Sequence, residues 1–245
     1  MDYEDSVPSA PVRYAFDDSD DELDTKTSLE EDTFGMALVE PFPENPLTLI
    51  VGVNAGSSCV AVLEGIRIGH IEYKEKPISD IMITEDRIHL SFPTTVNVNN
   101  VNKIANLIFN FPGAQIQKVI ILDSFVSTEY TSQQWGEDIR PPFLRVLQTS
   151  STTKIPEFQL YEVPNLVKDL SASILAHCEI HNIPCYALFS LQEAYLGKHI
   201  ITDETYTAYT QGLEKLGIKL SVDKDKLDLV LKKGQVDEHH HRLYV

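Results

Sequence analysis

Apolar and polar positions along the chain fall into two rhythms. The run LTLIVGV (47–53) is continuously apolar between turn residues, the pattern of a strand buried on both faces. CVAVLE (59–64) predicts a second strand, and Gly65 and Gly69 punctuate the residues after it. ITEDRIHLSF (83–92) predicts a strand with a turn at Glu85 and Asp86, and VIILD (119–123) and YALFSL (186–191) predict further buried strands. Between them the apolar spacing changes to threes and fours. Asn97 is placed to cap a helix whose stripe is Val98, Val101, Ile104, Ala105, Ile108 and Phe109, ended by Pro112 and Gly113. Pro164 and Asn165 begin a second helix, with Val167, Leu170, Ile174 and Cys178 on one face and Asn182 and Pro184 closing it. Thr202 caps a third, with Asp203 and Glu204 favourable against the dipole, a buried face of Tyr206, Tyr209, Leu213 and Leu216, and Gly217 as its terminating glycine. A last helix over about 222–233 turns Leu227, Val230 and Leu231 inward, and Gly234 stops it. Residues 127–140 are polar and loop-like.

Buried strands alternating with amphipathic helices predict an α/β domain, a layered β-sheet flanked by helices, without internal repeats or heptads. With 245 residues, 42% hydrophobic and 23% charged, the chain can bury a sizeable core. Charge redraws the boundaries. Residues 1–35 carry twelve acids against two bases, −10 of the chain's −17. They are poor in large apolar residues, so they read as a disordered acidic arm. A single folded domain is expected over 36–234, and 235–245 form a flexible tail. The body, at −7, lacks the clustered cations that nucleic acid or an anionic membrane requires. The N-terminus has neither the basic nor the apolar region of a signal peptide, and the longest uncharged run, 45–63, is broken by Gly52, Asn54 and Gly56. Cys59, Cys178 and Cys185 form no CxxC pair, which fits buried, reduced thiols in a cytoplasmic protein.

Candidate chemistry adds little to this picture. GVNAGSS (52–58) follows a strand, where phosphate loops sit, but it lacks the lysine of a P-loop and the third glycine of a dinucleotide fingerprint; a tight turn is expected. Asp123 ends a strand where α/β enzymes place carboxylates, yet a capped turn with Ser124 accounts for it. His177 and His181 have metal-compatible spacing, but Cys178 stands where a zincin needs glutamate. The expected reading is one histidine near the core and one favouring the helix dipole. His239, His240 and His241 invite adventitious divalent metal only. No GxSxG or cysteine-nucleophile signature is present, so no catalytic residue, cofactor or metal ligand is assigned and the chain is expected not to be an enzyme. The chain ends Leu243-Tyr244-Val245, a hydrophobic–Tyr–any tripeptide that this composition yields by chance about 2% of the time. Leu243 offers an apolar anchor, Tyr244 a ring with a hydroxyl, and Val245 a carboxylate of the kind that docking pockets capture.

Two internal segments, PPFLRVLQTSS (141–151) and VPNLVKDLSASILAHCEIHNIPCYALF (163–189), resemble the proteasome assembly chaperone 1 family. The matching positions are Pro142, Phe143, Leu144, Arg145 and Leu147, then Pro164, Asn165, Leu166, Val167, Asp169 and Leu170, then Cys178, Ile183 and Pro184. The resemblance is strong over about 40 residues, and 36–140 match only in outline. It implies a non-enzymatic protein that heterodimerises with proteasome assembly chaperone 2. The pair would sit on the outer face of the assembling α-ring of the core particle, promote its formation and block premature association. On that resemblance Leu243, Tyr244 and Val245 enter a pocket between α-subunits. Leu166, Val167, Leu170 and Ile174 are expected in the core; Phe143 and Leu144 belong either to the core or to the heterodimer contact. Two other readings stand beside it: a nucleoside-phosphorylase-like α/β enzyme or phosphate-ligand binder, motivated by the layout and GVNAGSS, and an adaptor that binds through its acidic arm.

Overall fold

The structure, a computed structural model, describes residues 33–93, 97–134, 136, 139, 140, 142–195, 198–200 and 202–234. The chain divides into two units, Met1–Glu31 and Asp32–Val245, and the second holds the sheet and its helices. Its order is β1 (Phe34–Leu38), β2 (Pro46–Val53), α1 (Ala55–Ala61), β3 (Ile66–Tyr73), β4 (Lys76–Ile83), β5 (Arg87–Phe92), α2 (Val101–Phe109), β6 (Gln115–Val126), β7 (Leu144–Gln148), α3 (Asp169–Ile180), β8 (Cys185–Tyr195), β9 (Lys198–Ile200), α4 (Asp203–Lys215) and α5 (Lys224–Gly234). One mixed sheet runs β1-β3-β4-β5-β2-β6-β8-β7, with β9 paired to β8. Its centre, β5-β2-β6-β8, is parallel, and β1, β3, β4 and β7 extend it antiparallel.

The continuous apolar runs are explained by burial on both faces. Along β2, Leu49, Val51 and Val53 face α2 and α3, while Ile50 faces the layer holding α1 and α4. In β6, Val119 and Ile121 point to the first layer, and Ile120 and Leu122 to the second. Each layer is sealed by a helix stripe: Ile104 and Ile108 of α2 with Leu170, Ile174 and Cys178 of α3 on one side, Tyr209 and Leu213 of α4 on the other. The α/β class expected from the sequence is what the chain adopts. Among the described residues no helix is long and apolar enough to cross a membrane.

Several local expectations differ. CVAVLE (59–64) is not a strand: Cys59, Val60 and Ala61 finish α1, because small residues at Ala55, Gly56, Ser57 and Ser58 let a helix lie directly on β2 and β6. Ile83 ends β4, and Glu85 and Asp86 turn between β4 and β5, where Thr84 N–H donates to the Arg87 carbonyl at 2.9 Å. The β3–β4 hairpin lacks an Asn-Gly signal; Lys74 and Glu75 supply the positive φ values, 49° and 62°, that its two-residue turn requires. Pro164 and Asn165 do not begin a helix. Asn165 spends its amide on the 131–133 segment, and α3 starts at Asp169. β1 begins two residues before Met36, where order was expected to start. Thr202 caps α4 as expected, accepting from Thr205 N–H at 3.3 Å, whereas Asn97, accepting from Asn99 N–H at 3.1 Å, caps a 3-10 turn over Val98–Asn100 and α2 itself starts only at Val101.

His89 in β5 is 3% exposed, and neither ring nitrogen has a hydrogen-bond partner among the described residues. Burial, reinforced by Arg87 and opposed by Asp86, pushes its pKa down to about 4. Its folded pKa lies below the unfolded value, so its contribution is intact above the usual histidine range and is lost as pH falls toward 4. Between pH 7 and 4.5 this destabilises the fold by roughly 2–3 kcal/mol. Urea denaturation at the two pH values should show that loss, and His89→Leu should retain more of its neutral-pH stability at pH 4.5 than the parent chain does.

Candidate functional site

The parallel strand β2 ends at Val53, level with Asp123 of β6, while β6 and β8 run on beside it; the carboxyl ends of such strands are where open α/β sheets place ligands. β2 passes into α1 through one residue, Asn54, held at φ 50° and ψ −125°. That conformation aims its amide across the edge, and Nδ2 donates to Asp123 Oδ1 at 2.7 Å. The same oxygen accepts the Ser124 N–H at 2.7 Å, and Oδ2 accepts the Ser171 hydroxyl of α3 at 2.6 Å. The Asp123 carbonyl accepts the hydroxyl of Tyr209, from α4, at 2.6 Å. Ser124 Oγ donates to Gln192 Oε1 at 2.7 Å and accepts the Ala55 N–H at 3.3 Å. One aspartate thus ties β6 to the β2–α1 junction and to a helix on each face of the sheet.

Asp123 is 6% exposed. Burial raises its pKa above the ordinary carboxylate range, the bonds from Ser171, Asn54 and Ser124 pull against that, and neighbouring Asp169 adds to the rise. The turn expected at Asp123 and Ser124 does not form: both lie within β6, opposite Phe189 and Ser190 of β8, and only the local bond from the Ser124 N–H to the Asp123 carboxylate is present. Sequence reading missed Asn54, Ser171, Gln192 and Tyr209 as members of a site. The G-x-N-x-G spacing of 52–56 was their one local signal, since it marks a sharp strand-to-helix turn that exposes its central side chain. The donors around Asp123 are an amide, a backbone N–H and a hydroxyl, so the cluster holds geometry.

A cleft of about 810 Å³ opens over this cluster, and Asp123, Tyr161, Leu166, Lys168, Asp169 and Gln192 are among the residues that line it. Glu129 also lines it and pairs with Lys168 at 3.7 Å. Three carboxylates against one already paired lysine make this a poor seat for phosphate, so the phosphate-ligand and nucleoside-phosphorylase readings gain no support.

The other candidates resolve separately. His181 stacks on His177 at 4.2 Å and His177 on Phe109 of α2 at 3.9 Å, and burial with His181 nearby lowers the His177 pKa. Among the described residues no group of three or more His, Cys, Asp or Glu side chains converges as a metal site. All three cysteines are free and buried; burial pushes Cys59 up to about 12 and Cys185 well above the ordinary thiol range. Leu170 and Ile174 are core, and Val167 packs against it, but Leu166 is 74% exposed, contrary to its expected place inside. Phe143 is core, and Leu144 packs against the second layer. Leu243, Tyr244, Val245, the histidines at 239–241 and the arm over 1–32 lie outside the described residues.

Comparison with known proteins places these features in a family. A family model described as Proteasome assembly chaperone 4 matches residues 96–245. Among curated relatives, a Proteasome assembly chaperone 1 of Nematostella vectensis is 39% identical over 75 residues, 29% of this chain and 28% of that one. Its Dictyostelium discoideum namesake is 32% identical over 81 residues, 33% and 29% of the two chains. A Callithrix jacchus namesake is 27% identical over 186 residues, 65% and 61%. The matched segments therefore span less than two thirds of these relatives. Among solved structures, an archaeal homolog of proteasome-assembly chaperone from Pyrococcus furiosus superposes with TM-score 0.57 at 14% identity, covering 81% of this chain and 94% of its own. An archaeal proteasome activator from the same organism gives 0.55 at 12% identity, covering 82% and 96%. At such identity these two share the fold.

Proposed function

The chain belongs to the proteasome assembly chaperone family, and from that membership we propose that it acts by binding, as a chaperone of core-particle assembly. In this reading it pairs with the related proteasome assembly chaperone 2, sits on the outer face of the forming α-ring, promotes ring closure and blocks premature association. It works where core particles form, in the cytoplasm and the nucleus. The carrying observation is that the family match runs through Val245, so the hydrophobic–Tyr–any terminus lies inside the region the family shares.

The tail's chemistry fits docking. α5 ends at Gly234, and eleven further residues reach at most about 36–40 Å when extended. Leu243 supplies an apolar anchor, Tyr244 an amphipathic ring, and the Val245 carboxylate seeks a lysine or backbone N–H groups in a pocket between α-subunits. Any cap using the same pocket is excluded while the tail occupies it.

Removing residues 243–245 should weaken binding to α-ring precursors about tenfold, measured by co-purification and titration, with the melting temperature unchanged. Equal binding by the shortened chain would end the tail's role. Absence of any α-subunit from complexes of the full chain would end the chaperone reading itself.

A further inference from the structure

Next to the cleft, the segment from Leu160 to Leu166 presents apolar side chains to water. Leu160 is 57% exposed, Val163 72% and Leu166 74%. Exposed apolar residues clustered in this way mark contact surfaces. The segment that carries them is pinned. Asn165 Oδ1 accepts the Thr131 N–H, and its Nδ2 donates to the Thr131 and Glu162 carbonyls, each at 2.8 Å. Gln133 N–H donates to Glu162 Oε1 at 2.8 Å, and Gln133 Nε2 to the Val163 carbonyl at 2.7 Å. Five hydrogen bonds fix a loop whose apolar side chains contribute little to the core, so the ordering cost of binding there is already met.

Charge then selects the occupant. Leu166 forms both the rim of the platform and a wall of the cleft, which Asp123, Glu129 and Asp169 also line. Lys168 pairs with Glu129, and among the described residues Asp123 and Asp169 have no ion-pair partner. Tyr161, half-buried and stacked at 4.5 Å on the buried Phe189, lines the cleft, and a planar cation can lie against such a ring. The protein already uses this contact, with the buried Arg145 guanidinium 4.0 Å from the Phe143 ring centre and 5.9 Å from that of Tyr130.

We propose that this face receives a protein segment bearing an arginine or lysine flanked by aliphatic residues, the cation entering the cleft and the aliphatic groups covering Val163 and Leu166. The site does not involve the terminal tripeptide, so it stands or falls apart from tail docking.

A random heptapeptide library displayed on phage and selected on the full chain tests this. Enrichment of Arg or Lys beside Leu, Ile, Val or Phe is expected. Capture of the selected peptides should fall at least tenfold on Leu166→Asp and about threefold on Asp169→Asn, in a position (φ 52°) that asparagine tolerates as aspartate does. Both variants should melt like the parent, and salt should weaken capture. No consensus, an acidic consensus or equal capture by Leu166→Asp would overturn the proposal. So would displacement by free arginine amide at the peptide's own concentration, which would assign the cleft to a small cation.

Discussion

Gly56→Ala should cost about 3–5 kcal/mol, visible as a melting temperature lowered by about 10 °C and a matching drop in the urea midpoint. A Cβ at Gly56 would sit 1.9 Å from the Leu122 carbonyl oxygen and 2.4 Å from its carbon. Both are backbone atoms of a central strand, which is hydrogen-bonded on both sides and cannot step back. α1 would have to lift from β2 and β6, exposing Cys59 and Val60 and shifting Asn54 away from Asp123. Gly52 faces the same constraint from the strand, its would-be Cβ lying 2.4 Å from the Gly56 carbonyl oxygen. Gly113 is the control: its φ of 82° makes alanine strained, but no atom lies within 4 Å, so Gly113→Ala should cost only about 1 kcal/mol. Equal costs at the two positions would refute the close packing of α1.

That contact also explains which parts of the fold were legible. β2, β6 and β8 announced themselves because a strand covered on both faces has no polar alternation to confuse it. α2 and α4 announced themselves through capped, three-and-four apolar stripes. α1 was misread because in a seven-residue helix the apolar pair Cys59 and Val60 looks like strand material, and the decisive residues are glycines chosen for approach to a strand distant in sequence. β3 and β4 were missed because Lys74 and Glu75 make their turn by tertiary support, without the residues that favour positive φ. β7, within PPFLRVLQTSS, pairs with β8 some forty residues later, a relation that no local pattern encodes.

The site was legible only at one point. Asp123 could be flagged as the end of the apolar run 119–123, although β6 continues to Val126, but its partners come from residues 54, 124 and 171, and Tyr209 meets its carbonyl. Leu166 was expected in the core together with the other apolar residues of the family motif, Val167, Leu170 and Ile174; with α3 beginning only at Asp169, Leu166 lies on the preceding loop and faces water. The family resemblance runs across this segment without a break, while only the backbone shows that it splits into a loop whose Leu166 faces water and a helix whose Leu170 and Ile174 do not.

The largest effect at the cluster should come from Asp123→Ala, at about 3–4 kcal/mol, because three donors lose their acceptor together: Asn54 Nδ2, the Ser124 N–H and the Ser171 hydroxyl. Asp123→Asn should cost only about 1 kcal/mol at neutral pH. Its carbonyl can still accept from Asn54 and Ser124, Ser171 can turn to accept from its NH2, and the Tyr209 bond to the main chain is untouched. The amide also removes the cost of burying a charge. The sign of that cost is fixed by the raised folded pKa: it is absent below the unfolded aspartate value and grows as pH rises through the interval up to the folded one. The gap between parent and Asp123→Asn stability should therefore narrow as pH increases from the acid side to neutrality. Urea titrations of the three proteins across that range measure both quantities. If alanine proves as mild as asparagine, the cluster does not hold the strand ends. If the gap widens with pH, Asp123 is stabilised as a charge within the fold, and the bonds from Ser171, Asn54 and Ser124 outweigh its burial.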